Sequence, residues 1–414
     1  MSSEKSNRSG KSFSFRRKLQ LITLVIGVVP IVILGVILFV FLGRSIEESQ
    51  GKMITEIADE ALDKIDRNLF ERYGDVQAFG VNRVVQQYAH WGRRGSPIVQ
   101  SMNDYVRLYS GMYDLLIFVD MKGNLVAVND RDNEGRPIAT DYLYQKNFSG
   151  ASWFKDALAG RFKTGTQGLD GTVVEDVYVD EDVKRVYGNE GLALGFSAPV
   201  KDSWGNVIGV WKNVARFSIV EDIFESSLKP LIQQGYKTGE LTLVDKKGVL
   251  LTDLDPTATG KDKTVRKMDE ILSFNLAEHG VGLAKRAISE KTRGHERSWH
   301  ARKKVDQLGA YSFSDGAMGF PGMGWALLVR IDLKEAIAHV NETRWIILSV
   351  LLGVLLVVGL LGPIVANRLL RPVLQFLEEL SASTLQVEKA SGLIAQKSQS
   401  LLSASTEQAA AIEE

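Results

Sequence analysis

Leu115-Leu116-Ile117-Phe118-Val119-Asp120-Met121-Lys122-Gly123-Asn124-Leu125-Val126-Ala127-Val128 decides the fold. An apolar run meets Asp, two residues and Gly, and a second apolar run follows. Asp supports a tight turn and Gly supplies the positive φ it needs, so the stretch predicts a β-hairpin. The same unit recurs as SAPVKDSWGNVIGVW at 197–211 and LTLVDKKGVLL at 241–251. A last strand pair is expected at Ala310–Phe313 and Trp325–Ile331. Three hairpins and a closing pair predict two antiparallel sheet modules in tandem, 111–230 and 236–335.

Upstream, 45–90 reads as one long helix. Ile54, Ile57, Ala61, Ile65, Leu69, Tyr73 and Val76 recur at spacings of three and four. Such a rod of about 46 residues would be ~70 Å long. A second helix is expected at 97–110, opened by Ser96-Pro97. The fold class is therefore α+β: two antiparallel sheet modules in tandem on a long N-terminal helix, with 45–110 as a helical stalk.

Two apolar runs flank this segment. Leu19–Leu42 and Trp345–Ala366 carry no charge, and each exceeds the roughly 20 residues that cross a bilayer. The first is too long for a signal-peptide core and lacks an A-x-A site. Lys5, Arg8, Lys11, Arg16, Arg17 and Lys18 precede it, and Arg368 and Arg371 follow the second. The positive-inside rule predicts a basic cytoplasmic tail at 1–18, transmembrane helices at 19–42 and 345–366, an outer segment at 44–344 and a cytoplasmic segment at 367–414.

Bulk composition excludes several classes. The 414 residues are 45% hydrophobic and 24% charged, enough for two or three domains. Fifty basic residues against fifty acidic argue against a nucleic-acid binder. The absence of cysteine excludes disulfides, Cys-ligated metals and cysteine nucleophiles.

A heptad starts at Leu370. One seam is Leu370, Leu377, Thr384, Ser391, Ser398, Ser405 and Ile412; the other is Val373, Leu380, Val387, Ile394, Leu401 and Gln408. This spacing predicts a coiled coil, with small hydroxyl residues loosening it. An amphipathic linker helix is the plainer reading.

The two spans, the long helix, the hairpin modules and the ending GFPGMGWALLVRIDLKEA at 319–336 resemble the double Cache domains, the tandem PAS-like sensor modules of bacterial chemoreceptors and histidine kinases. The closing STEQAAAIEE at 405–414 is similar to the first methylation helix of methyl-accepting chemotaxis proteins. The resemblance implies a multi-pass receptor of the bacterial inner membrane, with a periplasmic sensor and both termini cytoplasmic. In it 111–230 would be membrane-distal and 236–335 membrane-proximal. It implies a membrane-embedded homodimer, a small-molecule ligand, and modification of Glu407 and Glu414 by a receptor methyltransferase and methylesterase. A histidine kinase and coupling protein would be reached only through a signalling tip that this stretch does not include, so a truncated receptor is expected. Arg371-Pro372-Val373 looks like the start of a HAMP relay, but no connector follows. The alternative is the sensor portion of a histidine kinase or diguanylate cyclase.

No catalytic constellation stands out, so an enzyme, a cofactor and a metal are not expected. The histidines, His90, His279, His295, His300 and His339, lack metal-ligand spacing. Gly316–Gly324 lacks the Lys of a phosphate loop, and Asp130–Asp141 only faintly resembles a calcium loop. The candidate ligand residues are Trp153, Phe154, Tyr142, Tyr144, Lys146, Tyr178, Trp211 and Asn213, because pockets are mostly apolar with a few placed polar groups. Simple core packing is the competing role for the aromatic residues. Cache receptors for amino acids carry a Tyr, an Arg two residues before a Trp-aromatic pair, and a later Asp. Trp153-Phe154 matches the pair, but Ala151 replaces the Arg, Lys146 stands where the Tyr would be, and 210–214 has no Asp. The amino-acid site is thus not carried over; Lys146, Lys212 or Arg216 could instead hold a carboxylate.

Overall fold

The computed structural model describes residues 15–300 and 302–413. Residues 44–339 form one compact unit, and the helical segments flanking them in sequence form another. The elements are α1 (Phe15–Gly80), α2 (Pro97–Leu108), β1 (Tyr113–Asp120), β2 (Leu125–Val128), α3 (Ser152–Leu158), β3 (Val173–Val179), α4 (Glu181–Tyr187), β4 (Leu192–Lys201), β5 (Val207–Arg216) and α5 (Ser218–Gln233). They continue with β6 (Glu240–Val244), β7 (Leu250–Leu254), α6 (Pro256–Thr259), α7 (Gly282–Glu290), β8 (Gly294–His300), β9 (Val305–Phe313), β10 (Ala326–Asp332), α8 (Leu333–Ala336) and α9 (Ala338–Glu413).

The two sheets repeat one topology. Their strand orders are β2-β1-β5-β4-β3 and β7-β6-β10-β9-β8, antiparallel throughout. The three hairpins turn by the same device. The carboxylates of Asp120, Asp202 and Asp245 each accept from the backbone N–H groups two and four residues on, at 2.8–2.9 Å. Gly123, Gly205 and Gly248 then take φ of 78°, 87° and 92°, where an L side chain would be strained. Asp132 builds the same turn with Glu134, Gly135 and Arg136. Its carboxylate is thus committed to the backbone and to Arg136, and the calcium-like stretch is a turn.

The first sheet with its helices, the N-terminal module, and the second sheet with its helices, the C-terminal module, share α1 as a spine. Ile54, Ala61, Ile65, Leu69, Tyr73 and Val76 are buried in one continuous core that reaches one face of each sheet. Ile57 lies partly buried at its margin. α1 stops at Gly80 rather than reaching 90. Asn82 accepts from Val84 N–H and opens a 3-10 turn over Arg83–Gln86, and a second follows at Tyr88–His90. α2 starts as read, with Ser96 as its cap and Pro97 first. The opposite sheet faces have separate cores, under α3 and α4 in the first module and α7 in the second.

The apolar part of α1 and Trp345–Val365 of α9 are each long and apolar enough to cross a membrane. Their side chains are largely exposed, as with Ile26, Phe41 and Leu360. Glycines bring them together: a Cβ on Gly35 would lie 2.4 Å from Leu351, and one on Gly27 would lie 3.3 Å from Val358. The rising-against-falling numbers make the pair antiparallel. α9 continues as one helix through Pro363 and Pro372 to Glu413. Leu377, Leu380, Val387, Ile394 and Leu401 are exposed along it. Glu407 is exposed on the same helix; Glu414 lies outside the described residues.

Candidate ligand-binding site

The site is built on the face of the first sheet that turns away from α1. Lys212 stands at its middle, on the central strand β5, paired across to Ile117 on β1 and Ser197 on β4. Its side chain is buried among aromatic rings. The ammonium lies 5.1 Å from the centres of both the Trp153 and Tyr178 rings. A cation against aromatic faces at this range is attracted to their quadrupoles. Its charge partner is Glu175, whose Oε2 is 2.5 Å away. Gly195 makes room for that carboxylate, since a Cβ there would lie 2.2 Å from Glu175 Oε2.

Each wall has a local cause. Trp153, Phe154 and Ala157 form the buried face of α3. The Trp153 ring meets Phe154 edge-on at 6.1 Å, and Phe148 packs beside it at 5.8 Å. On β3 the register shifts between Glu175 and Tyr178. Regular alternation would send these two residues to opposite faces; the bulge lets both reach Lys212. Asp180 caps α4 by accepting from Asp182 and Val183 N–H, and also accepts from the Tyr178 hydroxyl at 2.9 Å. Burial pushes the Tyr178 phenol well above its ordinary pKa.

A polar cluster ties the 3-10 turn Asp141–Gln145 to α4 on the same side of the sheet. Tyr142, in the 3-10 turn Asp141–Gln145, donates to Asp182 on α4 at 3.0 Å. Lys146 pairs with the same Asp182 carboxylate. The Arg185 guanidinium lies 3.8 Å from the centre of the Tyr142 ring. Burial, then the Asp182 charge, raises the Tyr142 pKa, so its hydroxyl keeps its proton to donate.

The eight candidate residues therefore divide. Trp153, Phe154, Tyr142, Tyr144, Lys146 and Tyr178 lie on this side of the sheet, with Tyr144 at the margin beside Arg94. Trp211 and Asn213 do not. They flank Lys212 on β5 and so face the α1 core, where Trp211 Nε1 donates to Asn213 Oδ1 at 2.7 Å. The correction follows from strand alternation: if Lys212 faces the cage, its neighbours cannot. Glu175 was not among the candidates; the signal for it was a charge inside the apolar run VVEDVYV at 173–179.

The corresponding face of the C-terminal module has a different chemistry. Glu240 pairs with Lys303 and, at 3.0 Å, with Arg330; Lys303 also meets Asp255 at 2.9 Å. Burial raises the pKa of the adjoining Asp253. No aromatic box encloses any of these cations among the described residues. Two open clefts lie elsewhere. One of about 540 Å³ runs between α1 and the C-terminal module, lined by Asp59, Asp63, Asp66, Lys291 and Arg293. The other, about 370 Å³, holds Arg136, Arg216 and Arg266, each already paired with a carboxylate. Among the described residues no cluster of acidic and histidine side chains has the arrangement of a metal site.

No family model and no curated protein matches the sequence. Solved structures similar to it include ligand-binding domains of chemoreceptors. One is the ligand-binding domain of an amino acid chemoreceptor of Pseudomonas aeruginosa in complex with GABA: 17% identity, 68% of this chain and 99% of that one, TM-score 0.42. Another is the ligand-binding domain of a Campylobacter jejuni chemoreceptor with L-valine: 12% identity, 72% and 98% covered, TM-score 0.46. A third is the extracellular domain of a putative histidine kinase: 12% identity, 69% and 98% covered, TM-score 0.43.

Proposed function

We propose that this chain is the sensory part of a transmembrane chemoreceptor. Residues 44–344 lie outside the cytoplasm, both ends lie inside, and a small molecule binds at the cage of the N-terminal module. The caged Lys212 carries this reading. A buried ion pair adds little stability over well-packed apolar residues. Here one sits under an aromatic roof and beside an edge strand, which suits a site that exchanges partners. Binding is passed along α1, whose buried stripe touches both sheets. It is also passed through β10, which runs by way of α8 into the second apolar helix. The exposed apolar row of α9 pairs with a second copy as a coiled coil, and Glu407 and Glu414 are the modified carboxylates.

The test is a thermal-shift panel of organic acids, amines and nucleobases on the full chain in lipid nanodiscs. At least one class should raise the melting temperature of the wild type and lose that effect in Lys212→Met. A panel with no such class refutes the reading.

A further inference from the structure

We infer that the ligand of the cage is a small monocarboxylate that takes the place of Glu175 on Lys212, so that Glu175 acts as a tethered competitor. The inference rests on the reading of the cage as the ligand site, and it names the ligand's chemical class. Two exchanges are conceivable at an ion pair in an aromatic box: an incoming cation displaces the lysine, or an incoming anion displaces the carboxylate. The structure favours the second.

Lys212 is held on the central strand, hydrogen-bonded on both sides, with its side chain only 5% exposed and two rings against its ammonium. Glu175 is on the edge strand β3, beside the bulge, with its side chain 23% exposed. It can swing outward to water; Lys212 has nowhere hydrated to go. Lys212 is the one charge partner of the Glu175 carboxylate among the described residues, at 2.5 Å. A ligand carboxylate placed over Gly195 would meet the same ammonium, with Ser197 beside it on the floor and the Trp153 ring above.

Propionate reproduces the Glu175 side chain without its tether and is the probe of choice. Its binding to the full chain in nanodiscs is measured by calorimetry, with methylammonium as the cationic control. Removing a tethered competitor frees the seat it held, so Glu175→Ala should bind propionate roughly tenfold or more tightly than the wild type. Glu175→Gln, which keeps the shape and loses the charge, should move affinity in the same direction if Glu175→Ala fails to fold. Lys212→Met should abolish propionate binding in either background. Equal affinity in the wild type and Glu175→Gln overturns the inference, as does propionate binding that survives Lys212→Met. Saturable methylammonium binding that Glu175→Gln removes overturns the carboxylate assignment while leaving the cage as a ligand site. Binding of neither probe to any variant, with a null thermal-shift panel, brings down both.

Discussion

The Lys212 ammonium sits 5.1 Å from the centre of the Trp153 indole, which itself is 5% exposed. The ring is thus both a roof over the cation and part of the packing under α3. Trp153→Ala should cost about 3 kcal/mol of stability, as large-to-small changes in cores do. Trp153→Phe should retain most of the stability while weakening the cation contact. Thermal melts of the two variants beside the wild type decide it; equal melts for Trp153→Ala and wild type would show a loose wall instead.

Asn213 is fully buried and accepts from Trp211 on the α1 side of the sheet. Asn213→Ala should leave the indole N–H unpaired and cost about 1–3 kcal/mol. The response to carboxylates should not change, because the cage is on the other face. A lost ligand response in a variant with an intact near-UV circular dichroism spectrum would put Asn213 back in the site.

Asp66 lies well beyond the apolar stretch of α1 and accepts from Ser314 Oγ at 2.8 and 2.9 Å and from Gly316 N–H at 3.2 Å. Burial outweighs these bonds, and Asp315 and Asp63 add repulsion, so its pKa rises to about 6. A raised acid binds its proton more tightly folded than unfolded. Its contribution is therefore most favourable below about pH 4 and declines as pH rises through about 6, by up to roughly 3 kcal/mol. Asp66→Asn should flatten that part of the stability profile. An unchanged slope between pH 4 and 6.5 in the variant assigns the effect to another group.

The chain has no cysteine, so a single one reports cleanly on topology. Trp204, 84% exposed at the tip of the β4–β5 turn, is the place for it. In intact cells with a permeable outer membrane, Trp204→Cys should react with a membrane-impermeant maleimide. Labelling only after lysis would reverse the proposed orientation.

Leu401, 70% exposed on α9, should lie at the seam between two copies. Leu401→Cys is expected to form disulfide-linked dimers under mild oxidation in membranes, whereas Ser403→Cys, on the side of the helix away from both seams, should cross-link far less. Equal yields from the two positions would argue against a heptad interface.

Much of the fold was legible because its signals are local. An Asp whose carboxylate caps the N–H groups two and four residues on, followed by a Gly at positive φ, marks a tight turn wherever it occurs, and at Asp120, Asp202 and Asp245 the apolar runs on either side make that turn a hairpin. The buried stripe of α1 and the apolar runs are likewise properties of one segment's own periodicity and length. Five of the eight candidate residues, Tyr142, Tyr144, Lys146, Trp153 and Phe154, share one side of the first sheet for the same reason, since 142–154 carries them in one short stretch.

What the tertiary structure alone decided is which face each strand residue takes. Alternation says that Lys212 opposes Trp211 and Asn213, but not which parity meets α1; that depends on how β5 docks between β1 and β4. The bulge in β3 is equally silent in VVEDVYV, yet it puts Glu175 and Tyr178 on one face. The pairing of Lys212 with Glu175 joins residues 37 positions apart, brought together by a strand register that no local propensity encodes. Sequence thus set the elements through short-range chemistry, and the cage arose only when non-local packing fixed their registers.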